Sequence, residues 1–74
     1  MNQYELEQLF RELEEDISRL PSLLRSVRSD ITLENDWRAI KTLETLSILN
    51  QRIGADLFRI YSIIEKRANG GAKG

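Results

Sequence analysis

A chain of 74 residues holds one small domain at most, with no room for a nucleotide-binding α/β unit beside a substrate domain. Lys and Arg total 11 and Asp and Glu total 12, a formal net charge of −1 that gives no global electrostatic reason to bind DNA or RNA. Cys and His are both absent, which removes a disulfide framework, a thiolate zinc site and the commonest general base, metal ligand and pH switch.

No apolar run approaches the roughly 20 residues that span a bilayer, and the polar, acidic start is unlike a signal peptide. A cytoplasmic location with no membrane contact is the expectation.

From residue 3 to 29 the apolar positions Leu6, Phe10, Leu13, Ile17, Leu20, Leu24 and Val27, continued by Ile31, alternate steps of 4 and 3. That spacing predicts a helix with an unbroken heptad seam: a at 10, 17, 24 and 31, d at 6, 13, 20 and 27. Leu9 and Leu23 fall at g and widen the stripe toward a second neighbour.

Pro21 is the local conflict, because inside a helix it removes a backbone donor and clashes with the carbonyl four residues earlier. Either the helix kinks there, or it breaks at Leu20 and restarts with Pro21 in its first turn. The heptad phase is kept across Pro21, which favours the kink.

The link is expected around Ser29–Thr32, with Asp30 or Thr32 capping the next helix and Glu34 and Asp36 in its first turn. A second helix follows over 33–68, with Ala39, Leu43, Leu46, Asn50, Ile53, Leu57, Ile60 and Ile64 stepping as before. Residues 69–74 read as a flexible tail, with Asn69 or Gly70 as a left-handed cap. Residues 1–68 thus form the domain.

Charge tests how the helices pair. Residues 5–16 hold six acidic side chains and Arg11, while the far end of the second helix carries Arg59, Lys66 and Arg67 against Glu65. An antiparallel hairpin sets those ends side by side, and each sign suits its own helix terminus. Folding about position 31 brings Phe10 near Ile53, Ile17 near Leu46 and Leu24 near Ala39.

A single hairpin leaves Leu33, Trp37, Ile40, Ile48, Leu49, Phe58, Tyr61 and Ile63 off the second seam. Chains this short seldom bury enough unaided, and oligomerisation is the usual remedy. The expected architecture is an all-α antiparallel helical hairpin that dimerises into a four-helix bundle. A true break at Pro21 would allow a monomeric three-helix bundle instead.

Few residues suggest chemistry. Asn50, at an a position, reads as a register and pairing residue, and Gly54 permits a close backbone approach or a bend. Glu12, Glu15 and Asp16 share one turn, but di-iron bundles need Glu-x-x-His, so a solvated face paired partly with Arg11 and Arg19 is expected. Ser18, Ser22, Ser26 and Ser29 have no His, and no Lys before residue 41, to serve as base. No enzymatic activity, cofactor or metal is expected.

The function that remains is a helical module that binds a protein partner as a small regulator, inhibitor or chaperone. Its interface candidates are Trp37, Ile40, Leu33, Leu49, Phe58, Tyr61 and Ile63. The alternatives are a nucleic-acid-binding hairpin dimer using Arg19, Arg25, Arg28, Arg38 and Lys41, and a structural subunit of a larger assembly.

Overall fold

The computed structural model describes the backbone of residues 3–73 and the side-chain surroundings of residues 3–70. Two helices, α1 (Gln3–Thr32) and α2 (Asp36–Lys73), pack against each other as a hairpin measuring 60 × 16 × 12 Å.

Helix α1 passes through Pro21 without interruption, which removes the broken-helix arrangement and with it the three-helix bundle. Pro21 is exposed, so it forces no unpaired backbone group into the core. Helix α2 likewise continues past Asn69 and Gly70, so neither caps it. The tail expectation reaches beyond the described residues at residue 74.

The turn is shorter and later than Ser29–Thr32. Asn35 N–H donates to the carbonyl of Asp30 at 2.7 Å, and Glu34 N–H to that of Ile31 at 3.0 Å. These are the paired bonds of a Schellman motif, in which Glu34 takes the left-handed position at φ 58° that usually falls to glycine. The carbonyl of Asn35 then accepts from Ala39 N–H and opens α2, so only Leu33, Glu34 and Asn35 separate the helices.

The expected capping residues do other work. Asp30 is buried, while Thr32 Oγ1 donates back to the carbonyl of Arg28 at 3.0 Å. Of the two acidic residues assigned to the first turn of α2, only Asp36 lies in it.

The antiparallel pairing carries the expected charge contact: Arg59 Nη2 lies 2.8 Å from Glu5 Oε2. The later turn slides the register by about one helical turn. With Asp16 paired to Arg52, Ile17 lies level with Asn50 rather than with Leu46.

The buried seam is also rotated. On α1 it takes the d row (Leu6, Leu13, Leu20, Val27) and the g row (Leu9, Asp16, Leu23, Asp30); on α2 it takes Ala39, Leu46, Ile53 and Ile60 with Thr42, Leu49, Asp56 and Ile63. The a rows stay outside, with Phe10, Ile17, Leu24, Ile31, Leu43, Leu57 and Ile64 each 43–57% exposed. Apolar count alone favours a over g because g holds three aspartates, Asp16, Asp30 and Asp56. What count cannot register is that Arg52 compensates Asp16 from across the hairpin.

The main apolar cluster gathers Leu6, Leu9, Leu13, Leu49, Ile53, Ile60 and Ile63, flanked by Leu20 and Leu23. Near the turn the buried apolar residues are the smaller Val27 and Ala39.

A left-handed residue with a Cβ costs roughly 1–2 kcal/mol, of which a glycine recovers all but the roughly 0.4–1 kcal/mol lost to unfolded-chain entropy. Glu34→Gly is therefore expected to stabilise the hairpin by about 0.5–1 kcal/mol, read as a raised urea midpoint at constant slope.

Candidate functional site

Because the helices are antiparallel, rows with the same heptad letter turn toward the same side of the plane holding both axes. The a and e rows therefore share one broad face of the hairpin, and the c and f rows share the other. The two faces differ in chemistry.

The first face is apolar. Phe10, Ile17, Leu24 and Ile31 run along α1, and Leu43, Leu57 and Ile64 along α2, with Asn50 in the middle of the second row. Asn50 is thus exposed, outside the intramolecular seam where the spacing had placed it. Ser47 and Gly54 flank it on the neighbouring e row, which Ile40 and Tyr61 extend at either end. A Cβ added to Gly54 would meet no atom within 4 Å, so nothing inside the hairpin requires a glycine there.

The expected interface residues separate. Leu49 and Ile63 belong to the intramolecular core rather than to an exposed interface patch. Leu33, Trp37 and Ile40 are exposed at the turn end, Trp37 most of all at 78%. Phe58 and Tyr61 lie about six to seven turns along α2, their ring centroids 6.4 Å apart, with Tyr61 OH 3.3 Å from Glu65 Oε2. Trp37 and Phe58 occupy b positions on the narrow outer edge of α2.

The second face carries the ion pairs and a groove. Arg52 Nη2 lies 3.3 Å from Asp16 Oδ1, and Asp16 is only 2% exposed. Asp16 is therefore turned inward and is no part of a solvated carboxylate face with Glu12 and Glu15, a correction to the pattern-based expectation. Oδ2 of both Asp16 and Asp30 is buried without a hydrogen-bond partner. Beside the Asp16–Arg52 pair, a groove of about 360 Å³ opens between the helices, lined by Arg19, Ser22, Leu23, Thr45, Ile48, Leu49 and Arg52.

The basic cluster does not converge. Arg19 and Arg38 sit on the c row, Lys41 on f, Arg25 on the outer edge of α1 and Arg28 on the e row of the apolar face. Arg19, Arg38 and Lys41 thus share the c/f face while Arg25 and Arg28 lie off it, so the five charges are divided between faces. Among the described residues no group of three or more acidic side chains is placed to hold a metal ion, and no helix is long and apolar enough to cross a membrane.

A family model described as Sulfolobus spindle-shape virus 1, protein D-63, matches residues 1–62. This chain belongs to that family. Searches among curated proteins and among solved structures found no match. The D-63 match takes in α1, the turn and α2 as far as Ser62, and so includes all seven groove residues and every member of the apolar face except Ile64.

The Asp16–Arg52 pair is a polar contact across the hairpin that pattern reading did not foresee. Its signal was an aspartate interrupting the g row, which is legible only once a cation is known to face it. Arg52→Met should cost about 1–2 kcal/mol, less than for a fully buried pair because its side chain is 56% exposed. The double variant Asp16→Leu/Arg52→Met should recover that loss or exceed native stability, checked by urea denaturation.

Proposed function

We propose that this chain is a non-enzymatic protein-interaction module that acts as a homodimer, two hairpins stacking their apolar faces into a four-helix bundle. The observation that carries the reading is the row of exposed apolar side chains along both helices on one face, interrupted on α2 by Asn50. In a four-helix bundle each helix needs two flanking rows, one for each neighbour. Here g serves the other helix of the same hairpin, and a is left for a second copy.

The face is self-complementary about its centre. A two-fold axis through the Ile17–Asn50 level, in the interface and across the helices, lays α1 on α1 and α2 on α2, each antiparallel. On α2, Asn50 meets its own copy, Leu43 meets Leu57, and Ile40 meets Tyr61. Ser47 falls opposite Gly54, so the smallest side chains meet beside the Asn50 pair, and the otherwise unexplained glycine gains a reason. On α1, Ile17 meets its copy, Phe10 meets Leu24, and Glu7 falls opposite Arg28 twice by symmetry. Laying α1 on α2 instead would set Glu7 and Arg28 against Tyr61 and Ile40, a poorer match.

This arrangement covers the face and leaves Trp37 and Phe58 on the outer edge and Leu33 at the turn. Those are the anchors through which a third protein is held by helix packing, Trp being favoured among interface hot spots.

Light scattering after size exclusion tests the dimer, with 17.2 kDa expected as twice the 8.6 kDa chain. Ile17→Glu places two like charges on the axis and should give 8.6 kDa with helicity retained; a native mass of 8.6 kDa at every concentration sinks the reading. Arg28→Glu should weaken association several-fold and Glu7→Arg in the same chain should restore it. Trp37→Ala should leave the mass unchanged while weakening the hold on a captured partner.

A further inference from the structure

The groove lies on the face opposite the one that the proposed dimer would cover. Its floor is Leu23, Ile48 and Leu49, and Ile48 is 61% exposed although it is a large aliphatic residue. Its rim is cationic: Arg19 and Arg52 contribute both charges, and no acidic residue lines it. Two hydroxyl side chains line it as well, Thr45, whose Oγ1 donates to the carbonyl of Lys41, and Ser22.

Arg52 spends one guanidinium nitrogen on Asp16 and stays 56% exposed, so donors remain for a second acceptor. About 360 Å³ lies at the small end of ligand sites and suits one apolar side chain with a neighbouring anion.

We infer that this groove, formed by Arg19, Ser22, Leu23, Thr45, Ile48, Leu49 and Arg52, docks a short acidic segment of a protein partner, an aliphatic side chain on the floor and an adjacent carboxylate between the two arginines. This deepens the protein-interaction reading by naming the partner's chemistry. The planar guanidinium matches a carboxylate in bidentate fashion, and the apolar floor is of no use to a phosphate backbone, which sets a peptide ahead of a nucleic acid. The two copies in a dimer would present grooves on opposite outer sides, which suits the joining of two acidic partners.

The test is a titration of ¹⁵N-labelled full-length protein with acetyl-Leu-Glu-Leu-amide at millimolar concentration, alongside the same peptide with Gln in place of Glu. Amide shifts confined to the groove residues, with the Glu peptide bound at least about fivefold tighter, are the expected result. Arg19→Gln and Ile48→Ser should each reduce affinity about fivefold or more without changing the circular dichroism or the molar mass; Arg19 has no role in the core and Ile48 is exposed, so both variants fold.

Shifts elsewhere, equal binding of the Gln peptide, or no effect of Arg19→Gln would each overturn the assignment. So would a dT₈ oligonucleotide that moves the same amides more tightly than the peptide does. The molar mass separates the two ideas: a 17.2 kDa protein, twice the chain mass, that ignores the peptide loses only the groove, and an 8.6 kDa protein that binds it loses only the dimer.

Discussion

Everything in this hairpin follows from the angle at which each helix is rotated about its own axis. Each helix has more apolar rows than one neighbour can cover, and a pair of antiparallel helices buries two rows from each. The chain buries d with g. That choice sends the a rows to one broad side and the arginine-bearing c row to the other. Had it buried a with d, Asn50 would sit inside and Asp16 in water. The Asp16–Arg52 pair belongs to the arrangement actually adopted, and it makes a polar g position tolerable there. A paired buried charge is weak evidence for stability, since desolvation offsets much of the Coulombic gain, but its cost in the wrong register makes it a good specifier of rotation and alignment.

Helix content, number and direction were legible in the sequence because they rest on spacing and charge, both local or additive properties. The alternation of 3 and 4 from Leu6 to Ile31 identified α1, which runs on through Pro21 without the break that was the alternative. The acidic start of α1 and Arg59 on α2 gave the antiparallel sense, borne out by the Glu5–Arg59 contact.

Two features were illegible for physical reasons. The turn was placed too early because Asp30 and Thr32 have the side chains of caps, whereas the motif that stops α1 puts glutamate where glycine is the usual signal. The rotation was misjudged because a row's apolar count ignores a compensating charge about 36 residues away in sequence. Both errors reached the site. The late turn moved Asn50 level with Ile17, and the rotation moved it from the seam to a face, while Leu49 and Ile63 passed from candidate interface to core. The groove had no sequence signature, since its seven residues become neighbours only when rotation and register are both known.

The division into two faces also restricts how such a chain can change length. One residue inserted into either helix turns everything beyond it by about 100°, exchanging apolar and charged sides and carrying core positions into water. Seven inserted residues turn it by nearly two whole circles and keep each side chain on its own face. Matched insertions would still be needed in both helices to hold the register set by Asp16 and Arg52. Single-residue length variation is therefore confined to the Leu33–Asn35 turn and to the part of α2 beyond about residue 64, where α1 has no residue alongside.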